Sequence, residues 1–301
     1  MGGQTGSPLA RKQARLAWVF MAPTLVLLAA VGFWPLVQTV YLSFTETFTG
    51  SPEPPAWVGL ANYTELLGER QFWRAMRNTV VFTVVSVSLE FVLGLCFALL
   101  VHTHFKGRGL MRAAMLIPWA LPTVVAARMW GWMFNDVFGV VNDLLVGKLG
   151  ILPEPIAWTA TPGFAMASVI LVDVWKTTPF VALLLLAGLQ LISGELYEAA
   201  EVDGASAWQR FLTITLPLLK PAILVALIFR TLDALRVFDV IWVMTRGQAG
   251  TESAATYTYR SLIEYNRLGY GSALSVAIFF LIALFVIFYV YALRVDEEDR
   301  T

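Results

Sequence analysis

Apolar residues in this chain run in long, nearly unbroken stretches instead of recurring at the spacing of a half-buried helix or strand. Crossing about 30 Å of hydrocarbon takes roughly 20 mostly apolar helical residues. Six stretches qualify, at about 16 to 42, 79 to 101, 113 to 134, 163 to 191, 221 to 245 and 271 to 293. The pattern predicts an all-α integral membrane protein with six transmembrane helices. Pro118, Pro122 and Arg128 interrupt the third stretch, which fits a kinked or broken helix as well as a straight one, since neighbouring helices make proline tolerable in a membrane.

Composition supports lipid as part of the solvent. The chain is 58% hydrophobic and 14% charged, with a mean hydropathy of +0.69, more apolar surface than a soluble domain of 301 residues can bury. Its 21 basic and 21 acidic residues leave no net field to attract nucleic acid. The single cysteine, Cys96, excludes an intrachain disulfide framework and a cysteine metal cluster. Residues 1–10 are small and polar, and Arg11, Lys12 and Arg15 precede an apolar stretch with no small-residue cleavage site behind it, so this stretch reads as a retained first span.

Orientation follows from the short connections, where basic residues stay in the cytoplasm. The 102–112 turn carries Lys106, Arg108 and Arg112 without an acid, which places it and both termini inside. Residues 1–15 and 294–301 are then cytoplasmic tails, and 16–293 form one six-helix membrane domain. The outer segments, about 43–77, 135–162 and 247–270, are rich in Pro, Gly, Asn and Trp and read as ordered caps. Trp57, Trp73, Trp130, Trp132 and Trp158 fall near predicted outer helix ends, as in an interfacial aromatic belt.

Between the fourth and fifth spans lies an inner loop of about 28 residues, 192–219, far longer than the other inner connection. Ser193 is placed to cap a first helix, Glu195 and Glu198 suit its positive end, and Gly204 can end it in a left-handed conformation. A second helix is expected to start near Ser206, with Trp208, Phe211, Leu212 and Thr215 forming an apolar stripe before Pro217 breaks it.

Ionised groups inside a bilayer cost several kcal/mol and face a bundle interior or a water path. Eight fall within the spans: Glu90, Arg128, Asp173, Lys176, Arg230, Asp233, Arg236 and Asp239. Arg230, Asp233, Arg236 and Asp239 alternate in sign at spacing three along the fifth span, and Asp173 and Lys176 repeat that pairing in the fourth. With the hydroxyls of Thr177, Thr178 and Thr231 and the rings of Trp175 and Trp242, they suit a sugar, which needs hydrogen bonds at its edges and an apolar surface against its faces. The fourth, fifth and sixth spans are expected to build such a midplane site, with Lys176, Asp233, Arg236 and Asp239 as hydrogen-bonding residues; salt bridges that fix helix packing are the competing use.

Other chemistries lack their motifs. His102 and His104 have no HExxH context, no GxSxG elbow occurs, and no GxxxxGK[ST] loop is present, so the chain is not its own ATPase and no metal or catalytic site is expected. A proton-coupled secondary transporter could use Glu90, Asp173 and Asp239, but no internal repeat is visible.

The long inner loop has a recognisable pattern: Glu198-Ala199-Ala200, three residues, Gly204, nine residues, Ile214, one residue, Leu216-Pro217. It resembles the EAA loop of ABC-importer permeases in every specified position. Trp57-Val-Gly-Leu-Ala-Asn-Tyr63, Val174-Trp-Lys-Thr-Thr-Pro-Phe180 and Gly269-Tyr-Gly-Ser-Ala-Leu-Ser275 are similar to the sugar-permease branch of that family, the first of two paired permeases of maltose, trehalose or glycerol-phosphate type. The resemblance implies a type I importer transmembrane domain whose loop couples to a cytoplasmic ATPase. Its implied partners are a second homologous permease, two ATPase subunits that hold the ATP and Mg, and an extracytoplasmic sugar-binding protein, in a prokaryotic inner membrane. A disaccharide such as trehalose or maltose is the implied cargo; glycerol phosphate, a polyol or an amino acid is the alternative.

Overall fold

A computed structural model describes residues 8–298, so the outermost parts of the two expected tails, 1–7 and 299–301, lie outside the described residues. The chain is built from helices in the order α1 (Pro8–Leu27), α2 (Trp34–Ser43), α3 (Ala61–Gly68), α4 (Arg70–His102), α5 (Arg108–Ala120), α6 (Thr123–Met133), α7 (Val140–Asn142), α8 (Phe164–Leu189), α9 (Gly194–Val202), α10 (Ala207–Arg210), α11 (Leu216–Ala234), α12 (Asp239–Met244), α13 (Ala254–Tyr259) and α14 (Leu268–Glu298). Two-residue strands β1 (Thr45–Glu46) and β2 (Ala56–Trp57) pair antiparallel. Five helical stretches of the described residues are long and apolar enough to cross a membrane, and the count is six when the pair α5 and α6, bent by 92°, is taken as one span. Leu121, held extended by the proline that follows it, and Pro122 form the bend. The third apolar stretch is thus broken at this point, as its prolines allow.

Prolines elsewhere are absorbed. A π-helical turn at Leu28–Phe33 precedes Pro35, and a second at Phe211–Thr215 precedes Pro217. Each widens the helix near where a proline ring would meet the carbonyl four residues back. The expectation that Pro217 breaks the inner helix is therefore wrong: Ala207–Ala234 is one continuous stretch, so the second half of the inner loop belongs to the fifth span. That span also ends earlier than expected, at Ala234 instead of 245. The chain turns through Leu235–Phe238 and restarts as α12. Ser253 Oγ, 2.8 Å away, donates to the Val237 carbonyl that the break frees.

The described residues form two compact units. In the first, residues up to Gly68 together with 261–277, Asn62 Nδ2 donates to the Ser43 and Thr45 carbonyls at 2.9 Å each, closing the turn into the β1–β2 ribbon. Arg267 forms a two-pronged pair with Glu65 at 2.7 and 2.6 Å, and this hydrogen bonding holds the Glu65 carboxyl below its ordinary range. Gly269 is needed because a Cβ there would lie 2.0 Å from the Thr45 carbonyl oxygen.

The second unit, 69–260 with 278 onward, is centred on α4, α8 and α11. Small residues set their approach: a Cβ on Gly94 would stand 2.8 Å from Val181 Cγ1, and one on Gly188 would stand 2.5 Å from Ala222 Cβ. Two apolar clusters result. One gathers Phe82, Val87, Val169, Val172 and Ala234 with α12; the other gathers Ala98, Val101, Val181, Leu185, Leu219 and Ala226. Overpacking costs about 1–3 kcal/mol, so Gly188→Val should lower the melting temperature of the detergent-solubilised protein by several degrees, and an unchanged melting curve would contradict the close α8–α11 approach. Trp57, Trp73 and Trp132 are exposed as a belt requires, whereas Trp130 and Trp158 pack against the first apolar cluster.

Candidate functional site

On all three central helices the switch from one apolar cluster to the other is marked by charge. Arg230, 2% exposed, reaches from α11 to Glu90 on α4 and Asp173 on α8, and its Nη1 holds Asp233 at 2.9 Å. Thr177 completes the cluster by donating to Glu90 Oε1 at 2.7 Å. One guanidinium fork thus satisfies three carboxylates from three helices, an arrangement that suits the planar, five-donor arginine and not lysine. Asp173 was expected to pair with Lys176 one turn away; among the described residues it pairs with Arg230 instead. A lysine one turn along the same helix offers a single point charge, whereas Arg230 approaches as a fork from a facing helix.

The cluster forms the floor of a polar cavity of about 130 Å³. Its walls are Phe82 of α4, Thr123 of α6, Lys176 of α8, Asp233 of α11, and Arg236 to Val240 along the turn into α12. The side chain of Asp233 is 68% exposed, and Arg236 and Asp239 are also exposed. Among the described residues Lys176, Arg236 and Asp239 make no ion pair, so the cavity presents unspent donors and acceptors of both signs.

The structure therefore brings together Asp173, Lys176, Arg230, Asp233, Arg236 and Asp239, but not as the sequence suggested. The ladder does not run along one helix: Arg236 sits in the turn after Ala234, and Asp239 opens α12. Trp175 is not in the cavity; it meets Trp130 edge-on at 5.5 Å and lines an apolar groove on another flank of α8 with Leu93, Phe97 and Met115. Trp242 is not in the wall either. It stacks behind Phe238 at 5.8 Å with the rings 13° apart, and it is Phe238 that faces the cavity. The sixth span, expected to contribute, supplies none of the lining residues. Two residues of this site lay outside the expected set: Glu90, which the sequence marked as an intramembrane charge but not as a partner of Arg230, and Phe238, whose position depends on a helix break that no proline or glycine announces.

The caps of the inner loop form as expected, although its second helix runs on into the fifth span. Ser193 Oγ accepts from the Glu195 amide at 3.3 Å and caps α9; Gly204 ends it with φ +80°, its amide donating to the Glu201 carbonyl at 3.0 Å. Ser206 and Gln209 form a reciprocal cap on α10. Glu198 and Ala199 lie on the exposed face of α9 and Ala200 is half-buried. Tyr197 fixes the base through a 2.9 Å contact with the buried Thr215 hydroxyl. Ile214, Leu216 and Pro217 lie where the π turn enters α11, the helix that carries Arg230 and Asp233.

Residues 90–296 match the family described as the binding-protein-dependent transport system inner membrane component. The chain is 46% identical over 293 residues to the trehalose/maltose transport system permease protein of Thermococcus litoralis, covering 96% of this chain and 97% of that one. It is 42% identical over 284 residues to the sulfoquinovosyl glycerol transport system permease protein of Agrobacterium fabrum, covering 94% and 91%. A chain from the crystal structure of a bacterial ABC transporter involved in import of the acidic polysaccharide alginate has the same fold, with a TM-score of 0.81, 24% identity, and coverage of 95% of this chain and 96% of that one. The family match begins at Glu90 and runs through the arginine cluster, the cavity and the capped inner loop, and the chain belongs to the binding-protein-dependent transport system inner membrane components.

Proposed function

We propose that this chain forms half of the translocation pathway of an ATP-driven sugar importer, with an α-linked glucose disaccharide, trehalose or maltose, as the favoured cargo. The observation that carries this reading is the polar cavity, where charged side chains left without ion-pair partners and the ring of Phe238 converge inside an apolar bundle. Sugars are held by such a combination of directed polar groups and a flat apolar face. Asp233, Asp239, Lys176 and Arg236 supply the polar contacts, Phe238 the stacking surface, and Arg230 holds the floor together. The relative from Thermococcus litoralis, named for trehalose and maltose, supports the choice of cargo.

The chain carries no catalytic role of its own. A second permease completes the pathway, two cytoplasmic ATPase subunits bind ATP and Mg, and an extracytoplasmic binding protein delivers the sugar to the caps formed by 43–77, 135–162 and 247–270. Both termini and the inner loop face the cytoplasm of a prokaryotic cell. ATP binding closes the ATPase pair on α9 of each permease, and the motion enters α11 through Ile214, Leu216 and Pro217, shifting Asp233 and the turn to Asp239. A second reading, a sugar bearing an anionic group, draws on Lys176 and Arg236, two cations without ion-pair partners in one cavity, and on the relative named for sulfoquinovosyl glycerol.

Asp233→Asn and Asp239→Asn test the cavity separately. A lost hydrogen bond to a charged group is worth about 1.5–3 kcal/mol, so each variant should raise the sugar concentration for half-maximal uptake by about tenfold or more while the protein inserts normally. Normal uptake and selectivity in both would rule out direct contact by the acids.

A further inference from the structure

The turn between the second and third spans carries five basic side chains that the transport mechanism does not use. His102, His104, Lys106, Arg108 and Arg112 fall within 11 residues, and no Asp or Glu occurs from 91 to 135. Among the described residues none of the five makes an ion pair. Arg112 donates once, to the Val101 carbonyl at 3.0 Å, and its buried Nε has no partner. Gly107, at φ +93°, turns the chain into α5 with no side chain to cap the helix; the Arg108 amide donates to the Phe105 carbonyl at 3.4 Å, and the positive end of the helix adds to the field of the turn.

Exposed apolar side chains stand among the cations Lys106, Arg108 and Arg112. Phe105 is 41% exposed and Leu110 is 78% exposed, at the place where α4 ends and α5 begins. Water and a purely polar partner are both poor neighbours for that mixture. The headgroup region of a bilayer accepts it, with rings and aliphatic chains seated among acyl tails and the charges at phosphate level.

We propose that the 102–112 turn is a binding surface for anionic phospholipid, with Lys106, Arg108 and the first turn of α5 around the headgroup phosphate and Phe105 and Leu110 against the acyl chains. The inference rests on the proposed orientation only for the choice of the inner leaflet, where basic segments meet anionic lipid. Its role is to fix the elbow between α4 and the broken third span while the neighbouring helices move.

Native mass spectrometry of the full chain in detergent, titrated at low salt with phosphatidylglycerol or phosphatidylcholine, tests this without sugar or ATP, so its failure is distinguishable from failure of the importer reading. Each cation near an anionic surface is worth roughly a fivefold preference. The wild-type chain should retain phosphatidylglycerol on the order of twentyfold better than phosphatidylcholine, and the preference should shrink in 0.5 M salt, where the Debye length falls to roughly 4 Å. Lys106→Gln/Arg108→Gln should bind the two lipids about equally. A wild-type chain without preference, or a double variant that keeps it, would overturn the proposal. So would a double variant with intact lipid selectivity but no attachment of the ATPase subunits, which would assign the turn to a protein partner.

Discussion

Replacing Arg230 with methionine is expected to destabilise the protein by about 3–5 kcal/mol, the cost of breaking a buried ion pair by removing one partner. Glu90 is fully buried and Asp173 nearly so, and neither has another ion-pair partner among the described residues. The variant should give a sharply lower melting temperature and poor recovery from the membrane. Arg230→Lys should recover only part of the loss, because an ammonium cannot bridge three carboxylates as the guanidinium fork does. The triple change Arg230→Met, Glu90→Gln, Asp173→Asn should be more stable than Arg230→Met alone, since it removes the two uncompensated charges. A single variant as stable as the wild type would show that the cluster does not hold α4, α8 and α11 together.

The second large effect is expected at the inner loop. Proline fixes φ near −65° and has no amide hydrogen, while Gly204 stands at φ +80° and donates to the Glu201 carbonyl. Gly204→Pro should therefore rebuild the end of α9 and abolish transport and sugar-stimulated ATP hydrolysis, with the chain still inserted. Gly204→Asn, which tolerates the left-handed region, should retain a large part of both. Glu198→Lys leaves the backbone intact but reverses the charge on the exposed face of α9, and it too should uncouple. Stimulated hydrolysis at wild-type levels in both Gly204→Pro and Glu198→Lys would remove the loop from the coupling path.

How much of this was legible in the sequence depended on whether the deciding interaction was local. The caps of the inner loop were readable, because Ser193, Gly204 and Ser206 act through hydrogen bonds and backbone conformation within a few positions, while the continuation through Pro217 depends on a π turn that the sequence does not show. The spans were readable from hydropathy, and the Pro118–Pro122 pair announced the break in the third. The end of α11 was not: Leu235-Arg-Val-Phe contains no breaker, and the carbonyl freed there is satisfied by Ser253, 16 residues onward. The retreat of Trp242 behind Phe238 and the true length of the fifth span went unread with that turn, whereas Asp239 still reaches the cavity and the sixth span still follows where hydropathy put it. Pairing was also hidden. Sequence spacing put Asp173 with Lys176, whereas the shared partner of Asp173 and Glu90 is Arg230, 57 and 140 residues away, a choice made by helix packing through Gly94 and Gly188.

The central claim, that this chain is the permease half of an ATP-driven sugar importer, is tested most directly by co-expressing it with its neighbouring permease and ATPase subunits, purifying the complex, and measuring ATP hydrolysis against a panel of sugars with the binding protein added. Stimulation by trehalose or maltose, absent without the binding protein, is the predicted result. A chain that purifies alone and moves solute without ATP would contradict it.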